Sequence, residues 1–264
     1  MKIHPTASID PTARIGRDVE IGAYAVVGTE VVIGDGTRLR PHVVIEPYVT
    51  IGSRCDIYSG AVLGGVPQDR KFKGEKSYLV IGDENIIREH VTIHRAAGEG
   101  NETRIGSNNQ IMAYGHIGHN CVLENDITMA NMVGISGHVH VENKVNIGGI
   151  VGIHQFVRIG RLAMIGGYSK VVQDVPPFMM ADGRPSKVLD LNVIGLRRSG
   201  VSAKARADLK HAYKLLYRSQ MNMSQALEEI DGTVDSSAES EYLLEFVRKI
   251  RLGSNGRQND TPRV

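Results

Sequence analysis

The sequence predicts a mainly β protein, a parallel β-helix followed by a small α-helical region, and three observations lead there. An apolar residue returns every sixth position from Ile3 to Val171, through Ile9, Ile15, Ile21, Val27 and Ile33 onward, and the phase fails only at Asp69, Glu75 and Glu99. Glycine repeatedly follows that position, as at Gly16, Gly22, Gly34, Gly52, Gly106 and Gly118. The 264 residues include no Trp and only 5% aromatic side chains. A period of six matches neither the 3.6 of an amphipathic helix nor the alternation of a simple strand. It matches a solenoid in which each hexad supplies one short strand and a corner, three hexads closing a coil of about 18 residues. The apolar residues then fill a thin prism with room for Ile, Val and Leu but few rings. The glycines sit at corners that tolerate little side chain and call for unusual φ.

Taken in order, the coils from Ile3 to Leu63 carry no obvious chemistry and read as structural. A first interruption, Gly64 to Val80, contains Val66-Pro67-Gln68-Asp69-Arg70-Lys71-Phe72, and the phase resumes at Ile81. Loops on a rigid scaffold are where function concentrates. A second, shorter interruption runs from His94 to about Arg104. Pro176-Pro177 is expected to close the solenoid, because proline cannot donate to its ladders. The organisation is thus residues 1–184 as the β-helix, with insertions near 64–80 and 94–104, and 185–264 as an α-helical C-terminal domain.

Helical periodicity is expected from about Pro185. Ser202 is the N-cap of a helix whose apolar face is Leu209, Ala212, Tyr213 and Leu216. Two more helices follow near Ser224–Ile230 and Ser237–Leu252, before a polar tail from Gly253 to Val264 expected to fray. Between Pro185 and Arg218 eight basic residues face two acidic ones, either a solvated face or a dock for an acidic partner.

A net charge of +2 argues against nucleic acid as the main partner. Cys55 and Cys121 are expected on different faces several coils apart, which disfavours a disulfide and fits a reduced cytoplasmic location. Residues Met1 to Asp10 already belong to the repeat, and no apolar run approaches the ~18 residues of a membrane span.

The strongest chemical signal is Tyr114-Gly115-His116-Ile117-Gly118-His119-Asn120, read with Ser136-Gly137-His138 and His154-Gln155. Positions one coil apart lie side by side at roughly 4.8 Å. His119, Gly137 and Gln155 form one column, Asn120 and His138 the next, and Gly118, Ser136 and His154 the one before. A neutral imidazole can take a proton from a hydroxyl, and a glycine N–H one strand away can stabilise an oxyanion, which is acyl-transfer geometry. The competing chemistry is zinc held by histidines of adjacent coils or of two subunits.

These motifs, together with Val91-Thr92-Ile93-His94-Arg95, His154-Gln155-Phe156, Gln173-Asp174-Val175-Pro176-Pro177 and Gly195-Leu196-Arg197-Arg198, resemble the acyl-carrier-protein-dependent UDP-N-acetylglucosamine O-acyltransferases that begin lipid A biosynthesis. The likeness spans nearly the whole chain. It implies a left-handed β-helix, against the usual hand of parallel crossovers, assembled as a homotrimer with active sites between subunits. It implies transfer of a 3-hydroxyacyl group from acyl carrier protein to the glucosamine 3-hydroxyl, with no cofactor and no metal. By resemblance His119 is the general base, Gly137 N–H the oxyanion donor, and Asn120 the partner of the base. Gln68, Asp69, Lys71, His116, His138, His154, Gln155, Asn192 and Arg198 bind substrate. Gly167 occupies the acyl-chain ruler position, and a glycine there predicts a long acyl chain.

Three departures bear on tuning. Asn120 stands where the family often has Asp, so a neutral amide replaces a charge beside the base. Ile194 replaces a frequent Glu, and Ser199 a common second arginine, which touches the nucleotide contacts. The alternatives are an N-acyltransferase of the same fold, including one acting on a 3-amino sugar, and a γ-carbonic-anhydrase-like zinc enzyme. The related N-acyltransferase carries a uridine-binding domain before its repeats, whereas here the repeats begin at Ile3. A non-catalytic scaffold is the remaining reading.

Overall fold

A computed structural model describes residues 1–233 and 237–252. The chain coils into a left-handed parallel β-helix capped by helices. Short strands, mostly of two residues, recur every hexad and assemble into three sheets of 11, 9 and 8 strands, parallel except for the last strand of the first, here sheets 1, 2 and 3, which begin with Lys2–Ile3, Ser8–Ile9 and Arg14–Ile15. Regular coils pair residues 18 apart, as in Ile117↔Ile135↔Ile153. The two interruptions lengthen single coils by whole hexads: Ile57 pairs with Ile87, and Ile93 with Ile117. The insertions therefore leave every later side chain on its proper face.

The sixth-position Ile, Val and Leu are buried from Ile21 onward, each contributing about 1.5–3 kcal/mol by leaving water. A second buried column, four residues after each of them, comprises small or β-branched residues such as Val19, Ala25, Val31, Cys55, Ala61 and Cys121. Both cysteines are free thiols in this column, Cys55 ahead of a sheet 1 strand and Cys121 ahead of a sheet 3 strand.

The glycine expectation is half right. The hexad glycines do not adopt left-handed φ; that conformation falls two residues later, mostly on non-glycine residues such as Tyr24, Asn108, Asn120 and His138. What demands glycine is close approach. A Cβ on Gly34 would stand 2.5 Å from the Gly52 carbonyl carbon, and one on Gly118 2.8 Å from the Gly137 nitrogen.

The paired prolines do not end the sheet. Met179–Gly183 continues sheet 1 in parallel with Met164–Ile165, then turns back into the antiparallel strand Ser186–Leu191. Helical structure accordingly begins at α1 (Val193–Arg198), not at Pro185, and continues in α2 (Ala203–Arg218), α3 (Met223–Thr233) and α4 (Ala238–Leu252). Ser202 caps α2 by accepting the Ala205 N–H at 3.1 Å. Leu209, Ala212, Tyr213 and Leu216 join Phe178, Leu227, Leu243 and Val247 in a second core. That core is tied to the coils by Tyr242, whose hydroxyl donates to Glu142 at 2.8 Å while the Arg161 guanidinium lies 4.1 Å from its ring centroid. The tail from Gly253 to Val264 lies outside the described residues. Among those described, no helix is long and apolar enough to cross a membrane.

Candidate active site

A cleft of about 550 Å³ runs along the outer face of sheet 2 and its corner with sheet 3. Its floor is one ladder, His116, Gly134, Gly152 and Lys170, paired rung to rung. A Cβ on Gly134 or Gly152 would meet nothing within 4 Å, so the middle of the floor is bare backbone facing open space. The corner alongside carries His119, Gly137 and Gln155 as sequence arithmetic requires.

His119 is held in one tautomer. Its Nδ1 lies 2.8 Å from Asn120 Oδ1, which also accepts the Ala97 N–H at 2.9 Å, while Asn120 Nδ2 donates to the Ala97 carbonyl at 3.1 Å. The two Ala97 bonds fix which end of the amide faces the ring. An amide oxygen only accepts, so Nδ1 carries the proton and Nε2 keeps its lone pair. Thr103 Oγ1 accepts the Asn120 N–H at 2.8 Å and secures the left-handed backbone there. Nε2 then lies directly over Gly137, where an added Cβ would stand 2.7 Å from it. Among the described residues the Gly137 N–H donates to no other group. A base with a free lone pair and an uncommitted backbone donor thus face one volume.

The surrounding rings are kept neutral. Burial pushes His94 down to about 4, with His116 and His119 adding to the effect. His116 lies below the ordinary imidazole value through burial, and its Nδ1 is 2.8 Å from Thr92 Oγ1. His138 is lowered by burial and by His119, against a smaller opposing pull from Asp69. It stacks on Phe156 at 4.7 Å and meets His119 edge-on at 5.1 Å.

The chain brings Gln68, His116, His119, Gly137, His154 and Gln155 to the cleft, and Asp69 close enough to act on His138. Lys71 sits on the same loop, its N–H donating to Asp69 Oδ1 at 2.9 Å. Three expected residues lie elsewhere in the same chain. Asn192 caps α1, accepting the Gly195 N–H at 3.0 Å and donating to the Leu162 carbonyl at 2.9 Å. Arg198 is exposed in the last turn of α1, and Gly167 occupies the opposite edge of sheet 2, at its corner with sheet 1. His94 and Lys170 line the cleft although the motif reading gave neither a role. His94 escapes the 18-residue arithmetic because its coil carries the second insertion and is 24 residues long, with Ile93 beside Ile117. Lys170 is one coil beyond Gly152 and was within reach of that arithmetic. Among the described residues no three His, Cys, Asp or Glu side chains converge as a metal site within the chain.

Comparison with known proteins agrees with this fold. Residues 174–255 match the family model described as UDP N-acetylglucosamine O-acyltransferase, domain 2, and residues 30–65 match the bacterial transferase hexapeptide, six repeats. The acyl-[acyl-carrier-protein]–UDP-N-acetylglucosamine O-acyltransferase of Syntrophobacter fumaroxidans is 44% identical over 255 residues, 96% of this chain and 99% of that protein. The crystal structure of the UDP-N-acetylglucosamine O-acyltransferase from Moraxella catarrhalis superposes with a TM-score of 0.90 at 43% identity, covering 94% of this chain and 97% of that one. The UDP-N-acetylglucosamine acyltransferase of Bacteroides fragilis gives 0.90 at 38%, covering 93% and 96%. An identity of this level over nearly the whole chain means that the chain belongs to the acyl-[acyl-carrier-protein]–UDP-N-acetylglucosamine O-acyltransferase family.

Proposed function

We propose that this enzyme transfers a 3-hydroxyacyl group from acyl carrier protein to the 3-hydroxyl of UDP-N-acetylglucosamine, the first step of lipid A biosynthesis, in the cytoplasm. The observation that carries the chemistry is His119 Nε2 set over Gly137, with Nδ1 occupied by Asn120. Nε2 takes the proton of the sugar hydroxyl as its oxygen attacks the thioester carbon. The carbonyl becomes an oxyanion that accepts the Gly137 N–H. Collapse breaks the C–S bond, and the imidazolium returns the proton to the departing thiolate. Asn120 orients the ring through a neutral acceptor, while buried, neutral His94, His116 and His138 place no positive charge against the imidazolium as it forms.

The working unit is a homotrimer. The corner between sheets 1 and 2 presents an apolar line over four successive coils, Tyr114, Met132, Ile150 and Tyr168, exposed by 56, 55, 44 and 60%, with Tyr24 exposed by 59% nearer the N-terminus. Runs of exposed apolar surface on this scale mark interfaces. Packing that edge against a neighbour's sheet 2 carries Gly167 toward the neighbour's cleft, where it bounds the acyl groove. Asn192 and Arg198 contact the nucleotide from across the same interface.

The test is an acyl-transfer assay with purified 3-hydroxyacyl carrier protein and UDP-N-acetylglucosamine. His119→Ala is expected to lower kcat by roughly 10²–10⁴-fold, the usual worth of a general base. A variant that keeps wild-type kcat removes His119 from the reaction, and a wild-type protein that forms no product removes the function.

A further inference from the structure

Glu75 and Glu99 are two of the three positions at which the six-residue phase fails, one in each insertion, and the chemistry of the cleft uses neither. Both insertions leave the prism where sheet 2 turns into sheet 3, in the two coils directly before the one that carries His119. Each carboxylate reaches across to the other insertion. Glu75 Oε1 accepts the Gly98 N–H at 2.9 Å, and Glu99 Oε2 accepts the Lys76 N–H at 3.1 Å. The insertions are thus clasped reciprocally, and the Gly100 N–H adds a further bond to the Lys76 carbonyl at 2.9 Å. Glu75 Oε2 accepts the Lys73 N–H at 2.8 Å, so both oxygens of this half-buried carboxylate are engaged by backbone. Its own N–H first, then those of Lys73 and Gly98, hold the carboxyl below the ordinary glutamate value.

The clasp ends at the base. Gly98 follows Ala97, whose N–H and carbonyl both pair with the Asn120 amide, at 2.9 and 3.1 Å. Asn101 Nδ2 donates to the same carbonyl at 2.9 Å. Gly98 has a φ of +92°, and a Cβ there would collide with the Asn101 amide. The turn that holds Ala97 is therefore fixed from two sides, by Asn101 within its own insertion and by Glu75 from the insertion before. Resting on the acyl-transfer reading above, we propose that Glu75 is a positioning residue for the base: its carboxylate sets the Ala97 turn, the turn sets the Asn120 amide, and the amide sets the His119 ring over Gly137. Glu75 itself does not line the cleft. An amide gripped at both ends by one residue moves with that residue, and a base misplaced by about 1 Å loses as much as roughly 10²-fold in rate.

The experiment measures kcat and KM for the full-length enzyme, Glu75→Ala, Asn120→Ala and the double variant, with 3-hydroxyacyl carrier protein and UDP-N-acetylglucosamine each varied. Glu75→Ala is expected to lower kcat roughly tenfold, with both KM values within about twofold of wild type. In the Asn120→Ala background the same change should cost no more than about twofold, because the turn then has no amide left to set. Glu75→Gln repeats the cycle with a side chain of equal size, which guards against a failure to fold. It offers one oxygen to two N–H donors, so its kcat should fall by less than that of Glu75→Ala. A loss of kcat that vanishes without Asn120 supports the assignment. Equal losses in the two backgrounds, or wild-type kcat in both Glu75 variants, overturn it. So does a rise confined to KM for UDP-N-acetylglucosamine, which would leave Glu75 holding only the loop of Gln68, Asp69 and Lys71. The functional reading stands or falls separately, on whether the wild-type enzyme turns over at all.

Discussion

Two corners of the same prism are built alike and finished differently. Where sheet 3 turns into sheet 1, the backbone N–H two residues past the apolar position is capped by a side chain one coil further on. Arg17 donates to Asp35 at 2.8 Å, Ser53 to Asp83 at 2.7 Å, Asp83 to Ser107 at 3.0 Å, Ser107 to Asn125 at 2.7 Å and Asn125 to Asn143 at 2.9 Å. The corner is stitched shut. Where sheet 2 turns into sheet 3, the equivalent positions are His119 and Gly137, and the Gly137 N–H donates to no described residue. The repeat supplies the same amide in both places. At Gly137 the amide is left uncapped and available to a ligand, with the His119 imidazole of the neighbouring coil beside it, and we propose that this opening is the reactive site.

Breaking the comparison at its open end gives the largest effect. Gly137→Ala puts a methyl group where His119 Nε2 now lies 2.7 Å from the Cβ position. The ring must swing away, and the proposed oxyanion donor is shielded. We expect kcat to fall roughly 10²–10³-fold, the cost of losing an oxyanion donor, with thermal stability near wild type because the ring can move toward solvent. Unchanged kcat would show that the open amide is incidental.

The pH dependence sharpens the comparison. His94, held at about 4 in the folded protein, has an ordinary value of 6.5. The folded-state value is depressed, so the stability tied to it is fully present above about pH 6.5 and is lost as pH falls toward 4, where the unfolded chain binds the proton first. At pH 5 the loss is about 1–2 kcal/mol. Thermal unfolding of wild type and His94→Gln at pH 7.5 and 5 checks this: the drop in Tm should be smaller in the variant, and equal drops would contradict it.

At the stitched corner the effect is smallest and leaves chemistry untouched. Asn125→Ala removes the acceptor of the Ser107 N–H and the donor to Asn143 Oδ1 at 3.0 Å, on a solvated edge. A stability loss of about 1 kcal/mol with unaltered kcat is expected, as for a partly exposed hydrogen bond. A fall in kcat would mean that the two corners are not independent.

The coil was legible because one physical requirement, an apolar residue turned into a narrow prism, repeats often enough to show its period. The column His119, Gly137 and Gln155 followed by counting, since the coils there are of the regular 18 residues. Counting failed at His94, where an inserted hexad changes the coil length, and it misread the hexad glycines, whose role is room for the next coil's backbone and not a left-handed turn. Pro176-Pro177 looked like a stop because proline lacks a donor, yet the ladder passes it through Gly160, whose N–H donates to the Val175 carbonyl at 2.8 Å, and resumes at Met179–Gly183. Gly167, Asn192 and Arg198 lie away from the cleft of their own chain; the roles proposed for them need a neighbour, which no periodicity within one chain can report.

The most direct test is a crystal structure of the enzyme with an unreactive acyl-carrier thioester analogue and UDP-N-acetylglucosamine bound together. The donor carbonyl oxygen should lie within about 3.1 Å of the Gly137 nitrogen, and the sugar 3-hydroxyl within hydrogen-bond reach of His119 Nε2. A carbonyl turned away from Gly137, or a 3-hydroxyl approached by another side chain, would contradict the central claim that the unstitched corner is the catalytic one.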